Sequence, residues 1–184
     1  MKHKILSALF LGLFGSMAFS QVTIGDDTGT AEKTDSVLLQ FANTNNKGIA
    51  LPMVRTLPTN PTAGTLLLDA STPTDAKVKY YNGEWIDLSG NGDTKSDVTT
   101  FLDNQPTGIT EKGGVIIGSN TSTADGVLVL ESKNRAMVLP IVDDYKNIVN
   151  PAPGMMAFLK PGTDETAYRL IVFNGTTWSF WQPS

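Results

Sequence analysis

The sequence predicts a mainly β protein: two repeated antiparallel β-meander modules joined by a polar connector, with little helix. The first observation behind this is a skeleton that occurs twice. Asn60-Pro61-Thr62-Ala63-Gly64 corresponds to Asn150-Pro151-Ala152-Pro153-Gly154, and Tyr81-Asn82-Gly83-Glu84-Trp85 corresponds to Phe173-Asn174-Gly175-Thr176-Thr177-Trp178. The second is that apolar residues come in short runs bounded by Gly, Pro, Asn, Asp and Ser, the pattern of strands separated by turns. The third is composition. Charged residues are 17% and hydrophobic residues 40%, with 17 Gly and 10 Pro, a balance of strand-and-turn proteins rather than of disordered or coiled-coil chains.

Residues 1–20 are expected to be a secretory signal peptide. Lys2 and Lys4 make a positive n-region, the apolar run from Ile5 to Phe14 an h-region, and Ala18-Phe19-Ser20 a small-residue cleavage site. The mature chain then begins at Gln21. The apolar run is too short to span a bilayer, and no later run approaches the required roughly 20 residues. A soluble exported protein without a transmembrane segment follows, placed in the periplasm, at the outer membrane or on the extracellular surface.

Module 1 is assigned to residues 21–89. Gln21-Val22-Thr23-Ile24-Gly25 reads as a short strand and Ser36-Val37-Leu38-Leu39-Gln40-Phe41 as a buried strand. Gly48-Ile49-Ala50-Leu51-Pro52-Met53-Val54 must lie at an edge or break at Pro52, because proline has no N–H for a ladder. Thr65-Leu66-Leu67-Leu68-Asp69 and Lys77-Val78-Lys79-Tyr80-Tyr81 follow as strands. Asn82-Gly83 then marks a hairpin of type I′, in which both central residues take φ > 0.

Residues 90–113 are the connector, rich in Gly, Asp, Thr and Asn, with Phe101-Leu102 as its one apolar pair. Its default state is an exposed linker, with the Phe101-Leu102 pair as the one place where it could dock locally. Module 2, residues 114–184, repeats the order. Gly114-Val115-Ile116-Ile117-Gly118-Ser119-Asn120 echoes the first strand and Gly126-Val127-Leu128-Val129-Leu130-Glu131 the second, again as a buried strand. Leu139-Pro140 repeats the proline break. Asp143-Asp144-Tyr145-Lys146-Asn147-Ile148, acidic at its start, is expected to form one or two helical turns. Gly64, Asn82, Gly83, Gly154, Asn174 and Gly175 are the predicted turn residues.

Taken together, the motifs Gln21 to Gly25, Lys47-Gly48 with Leu51-Pro52, Asn60-Pro61 with Gly64 and Tyr81-Asn82-Gly83 with Trp85 resemble a widespread type of secreted Bacteroidota envelope protein. The closing part of each unit is similar to β-meander modules of phage tail-fibre proteins. The resemblance implies a non-enzymatic surface or envelope component, often oligomeric and fibre-like. With the second Trp strand reaching residue 181, neither an autoproteolytic chaperone extension nor a C-terminal sorting domain is expected.

Composition narrows the chemistry. Removing residues 1–20 takes away Lys2, Lys4 and the single histidine, His3, so the formal charge moves from −4 to −6. The remaining basic residues do not cluster, so nucleic acid is not an expected partner. With no cysteine and no histidine left, Ser-His-Asp and Cys-His catalysis and the usual zinc sites have no residues to build them. A glycosidase needs two carboxylates across a cleft, and the candidates Asp26-Asp27, Asp143-Asp144 and Glu84 all lie in turn or cap contexts. Asn91, Asp93 and Asp97 are faintly similar to an oxygen-rich calcium loop, but Lys95 occupies an alternating ligand position and Leu102 stands where the bidentate Glu belongs, so loop solvation is the expected reading. No enzyme activity, cofactor or metal is expected.

Trp178, Phe180 and Trp181 are the candidate interface residues. Strand alternation sends Trp178 and Phe180 to one side and Trp181 to the other, which suits core or subunit packing better than a flat sugar-binding platform. The expected function is therefore a structural or interaction component of the cell envelope, such as a subunit or accessory factor of a secretion, motility or fibre assembly. The alternative is a carbohydrate-binding or adhesin-like module. Expected partners are envelope proteins or a second copy of the chain, with a trimer implied by the tail-fibre resemblance and a glycan under the alternative.

Overall fold

A computed structural model of the chain describes residues 21–25, 29, 36–42, 46–89, 97–105 and 114–181. The expected signal peptide, Asp26-Asp27 and the connector residues Asn91 and Asp93 lie outside the described residues. The protein is mainly β and built of repeated units. Module 1 contains β1 (Val22–Ile24), β2 (Val37–Phe41), β3 (Ile49–Ala50), β4 (Met53–Val54), β5 (Leu66–Asp69), β6 (Lys77–Tyr81) and β7 (Trp85–Asp87). One α-helix, α1 (Thr99–Asp103), follows. Module 2 contains β8 (Val115–Ile117), β9 (Leu128–Leu130), β10 (Ala136–Met137), β11 (Ile141–Val142), β12 (Met155–Leu159), β13 (Arg169–Phe173) and β14 (Trp178–Trp181). No described helix is long and apolar enough to cross a membrane.

Each module closes with an antiparallel meander, β5-β6-β7 in one and β12-β13-β14 in the other. The pairing is nonetheless mixed, and here the structure departs from a purely antiparallel expectation. A fourth strand joins each meander in parallel, β4 beside β5 and β11 beside β12. The prolines explain how. Pro52 and Pro140 break the strand that precedes them, so the chain steps from one sheet to the next. They have no N–H to give, but their carbonyls accept from Leu68 N–H at 2.9 Å and Phe158 N–H at 2.8 Å. A parallel ladder uses those acceptors without needing the missing donor. The first two strands of each module also pair in parallel, β1 with β2 and β8 with β9.

The modules exchange strands. β10, from module 2, lies in parallel beside β2 of module 1, so β2 becomes the central strand of the order β1-β2-β10. β3, from module 1, lies antiparallel beside the start of β12. Between the meanders sits one shared core of Leu68, Ala70, Ala76 and Val78 from module 1 with Met156 and Val172 from module 2. Burying apolar area against one another stabilises two units that are individually near the lower size limit for a stable core.

Part of the connector belongs to that core. Val98 and Leu102 are fully or nearly fully buried in it, whereas Phe101 is exposed. The segment 97–105 is therefore not the exposed linker its composition suggests. Val98 and Leu102 stand four residues apart, on one face of a helix. Val98 N–H donates to the Pro73 carbonyl at 2.9 Å, and Gln105 Nε2 to the Met53 carbonyl at 3.0 Å. The Asp97 carboxylate accepts from Thr99 N–H at 2.9 Å at the start of the helix.

Candidate interaction surface

β14 carries the predicted interface aromatics. Its register opposite β13 places Trp178 across from Phe173, Phe180 across from Ile171 and Trp181 across from Leu170. Trp178 and Phe180 turn to Tyr145, with ring centroids 6.3 Å and 5.1 Å away in edge-on geometry, the arrangement favoured by ring quadrupoles. Tyr145 is presented by a short 3₁₀ turn, Tyr145–Asn147, capped by the Asp144 side chain, which accepts from Lys146 N–H at 2.9 Å. Ser179 and Trp181 point to the other side, where Ser179 Oγ donates to the Ser89 carbonyl and Trp181 Nε1 to the Leu88 carbonyl. The aromatic strand thus clasps the end of module 1. Phe180 and Trp181 keep 44% and 39% of their surface exposed.

The turn residues fall into two kinds. Gly64, Gly83, Gly154 and Gly175 all have positive φ, at 93°, 113°, 81° and 105°. A Cβ on Gly64 or Gly83 would meet nothing within 4 Å, whereas on Gly175 it would come within 2.9 Å of Val98 and on Gly154 within 3.1 Å of Leu68. Asn82 and Asn174 do not share the positive φ that a type I′ turn requires. Among the described non-glycine residues only Asn150 has it. The hairpins are longer, with three residues between β6 and β7 and four between β13 and β14. A longer loop lets glycine alone take the left-handed position, while Asn174 Oδ1 accepts from Thr176 and Thr177 N–H, both at 2.9 Å.

A surface that the sequence did not disclose lies at β8 and β9. Val37, Leu38 and Leu39 of β2 are buried, but Val127 and Leu128 of the corresponding run are 59% and 47% exposed, and Val115 of β8 is 59% exposed. The expectation of a buried strand fails here because burial is conferred by a neighbour. β10 covers one edge of β2, and Leu38 packs towards Gly118 of the second module. Nothing comparable covers β9 among the described residues. An open groove of about 600 Å³ runs between Val22 and residues Ile116 to Asn120. In a stacked repeat the burial of a strand is set by the neighbouring unit, which an apolar run read by itself does not disclose.

Charged side chains are dispersed. Asp69 is buried, with its Oδ2 2.7 Å from Lys79 Nζ. Burial works against its charge, yet the hydrogen bonds from Lys79 and Ser71 outweigh this and hold the carboxyl below its ordinary pKa. Asp144 serves as a cap, and Glu84 is exposed in the hairpin. No group of three or more His, Cys, Asp or Glu converges on a common point among the described residues. No family model, curated protein or solved structure matches the chain.

Proposed function

We propose that the chain is a non-enzymatic structural and interaction component of the bacterial cell envelope or surface, a subunit or accessory factor of a secretion, motility or fibre assembly. The observation that carries this reading is the exposed apolar β8-β9 pair, with Val115 and Val127 each 59% exposed. Contiguous exposed apolar surface on a small acidic protein is a mark of protein association. The expected signal peptide puts such a surface outside the cytoplasm, and the envelope-protein resemblance points to the same compartment. The test is affinity capture of the tagged chain from native membranes of its source. Envelope proteins recovered with the wild type and lost with Val127→Lys/Leu128→Lys support the reading; recovery that is unaffected by the substitutions overturns it.

Carbohydrate binding is the second reading, favoured by the exposure of Phe180 and Trp181 on the last strand. A glycan array separates the two. Glycan binding abolished by Trp181→Ala supports a carbohydrate-binding or adhesin-like role, and an empty array removes it.

A further inference from the structure

The internal repeat gives each open strand edge of one module a paired counterpart in the other. Just past β2, Ala42 N–H donates to the Ile24 carbonyl; just past β9, Glu131 N–H donates to the Ile117 carbonyl, both at 2.9 Å. That equivalence places Leu128 where module 1 has Leu39. The Leu39 carbonyl accepts from Val138 N–H at 2.8 Å. Val127 O faces β8, where it accepts from Val115 N–H. By strand alternation, then, Leu128 presents its backbone to the opposite, unpaired edge.

The matching donor is also present. Val138 stands two residues before Pro140, and its counterpart Ala50 stands two residues before Pro52. Leu51 N–H, just past β3, is spent on the Gly154 carbonyl of module 2. Ala50, one residue earlier, turns its N–H away from β12 and is exposed.

A second vacancy has the opposite polarity. β12 holds β3 at Met155 and Met156, beside β11. β5, its counterpart, holds β4 at Leu68 and Asp69 but, among the described residues, no strand at Leu66, the equivalent of Met156. The counterpart of Ile49, which fills that place on β12, is Met137. Ala136 and Val138 donate towards β2, so Met137 presents its backbone outward.

We propose that a second copy of this chain docks head to tail on the first, its module 1 against the exposed end of module 2. Ala50 N–H of the incoming copy pairs with the Leu128 carbonyl, and Met137 runs beside the incoming Leu66, repeating between chains the two strand contacts made within one. Docking buries Val127 and Leu128 as Leu38 and Leu39 are buried. This deepens the interaction reading above and rests on it. The two surfaces differ, so the contact is heterologous and each docked copy offers a fresh end. Between copies there is no α1 to fill the joint, which makes it weaker than the joint within a chain.

The test is sedimentation velocity on the chain expressed from Gln21, over a wide concentration range. The mass of the wild type is expected to rise with concentration. Val127→Lys/Leu128→Lys, on exposed side chains, and Ala50→Pro, which removes the donor, each lose that rise. Should Ala50→Pro melt early, Ala50→Lys blocks the same edge without touching the backbone. Mixing the two defective chains is decisive. Each keeps one intact surface, so they form a one-to-one pair that grows no further. A wild type that stays single at every concentration, or a mixture that stays single, overturns the proposal. Capture of envelope proteins in that case leaves the functional reading standing and removes only self-docking.

Discussion

The same position is occupied in opposite ways by the two meanders. In module 1, Asp69 and Lys79 share one face of the sheet as an ion pair 2.7 Å apart. The equivalent residues of module 2, by register, are Leu159 and Ile171, both buried in an apolar cluster with Val142, Ile148 and Ala157. The strands are alike; their covers are not. Module 2 folds Asp143 to Ile148 over this face and brings Tyr145 and Ile148 down on it. Module 1 has Arg55-Thr56-Leu57-Pro58-Thr59 in that place, and Lys79 keeps 21% of its side chain exposed. A face without an apolar lid tolerates a charge pair, and a face with one excludes it, because a buried charge is retained only where it is paired and partly hydrated.

Substitutions can push this comparison to its limits. The largest contrast is expected between Gly175→Val and Gly83→Val. Both force a side chain onto positive φ, which costs about 1–3 kcal/mol. Only Gly175 also drives it into Val98, adding about 1–3 kcal/mol of overpacking. Thermal melting should therefore drop clearly further for Gly175→Val; equal losses would show that the connector helix contributes nothing at that hairpin.

Removing the lid of module 2 comes next. Ile148→Ala should lower stability by about 2–4 kcal/mol, read from denaturant unfolding, as a truncated core residue does. A loss under about 1 kcal/mol would mean that the lid does not define this face.

Asp69→Asn should cost about 2 kcal/mol at neutral pH, the scale of hydrogen bonds to a charged group. The folded pKa of Asp69 lies below the ordinary carboxyl value of 3.8, so its contribution is present above that value and lost as pH falls through the lower folded one. The variant should accordingly converge with the wild type in acid. Replacing both partners, Asp69→Leu with Lys79→Ile, copies module 2 and should fall within about 1 kcal/mol of the wild type, since apolar replacement of a pair is often neutral. A double variant as unstable as Asp69→Asn would break the equivalence of the two faces.

Much of the fold is legible in the residues. The Asn-Pro and Asn-Gly signals delimit both meanders, and alternation alone separates Trp181 from Trp178 and Phe180. What escapes is partner choice. Nothing local in Ala136-Met137 directs it to a strand almost a hundred residues earlier, because an apolar run encodes a face and not the strand that will lie beside it. The polar composition around α1 hid Val98, although its four-residue spacing from Leu102 was visible. Exposure at Val127 and Leu128 could not be read at all, since it depends on a neighbour that module 1 has and module 2 lacks.

The exchange of β10 has a further consequence in time. As the chain is made from its N-terminus, β2 is complete long before residues 136–137 exist. Until they arrive, Val37 to Phe41 wait with one ladder edge open and with apolar side chains destined for the interior in contact with water. Synthesis at roughly 5–20 residues per second makes that wait several seconds, ample time for a bare strand to find a stranger. The first half of this protein therefore cannot mature by itself. The chain must reach its second proline break before its first sheet can close, which suits a polypeptide kept unfolded by an escort until its whole length is available.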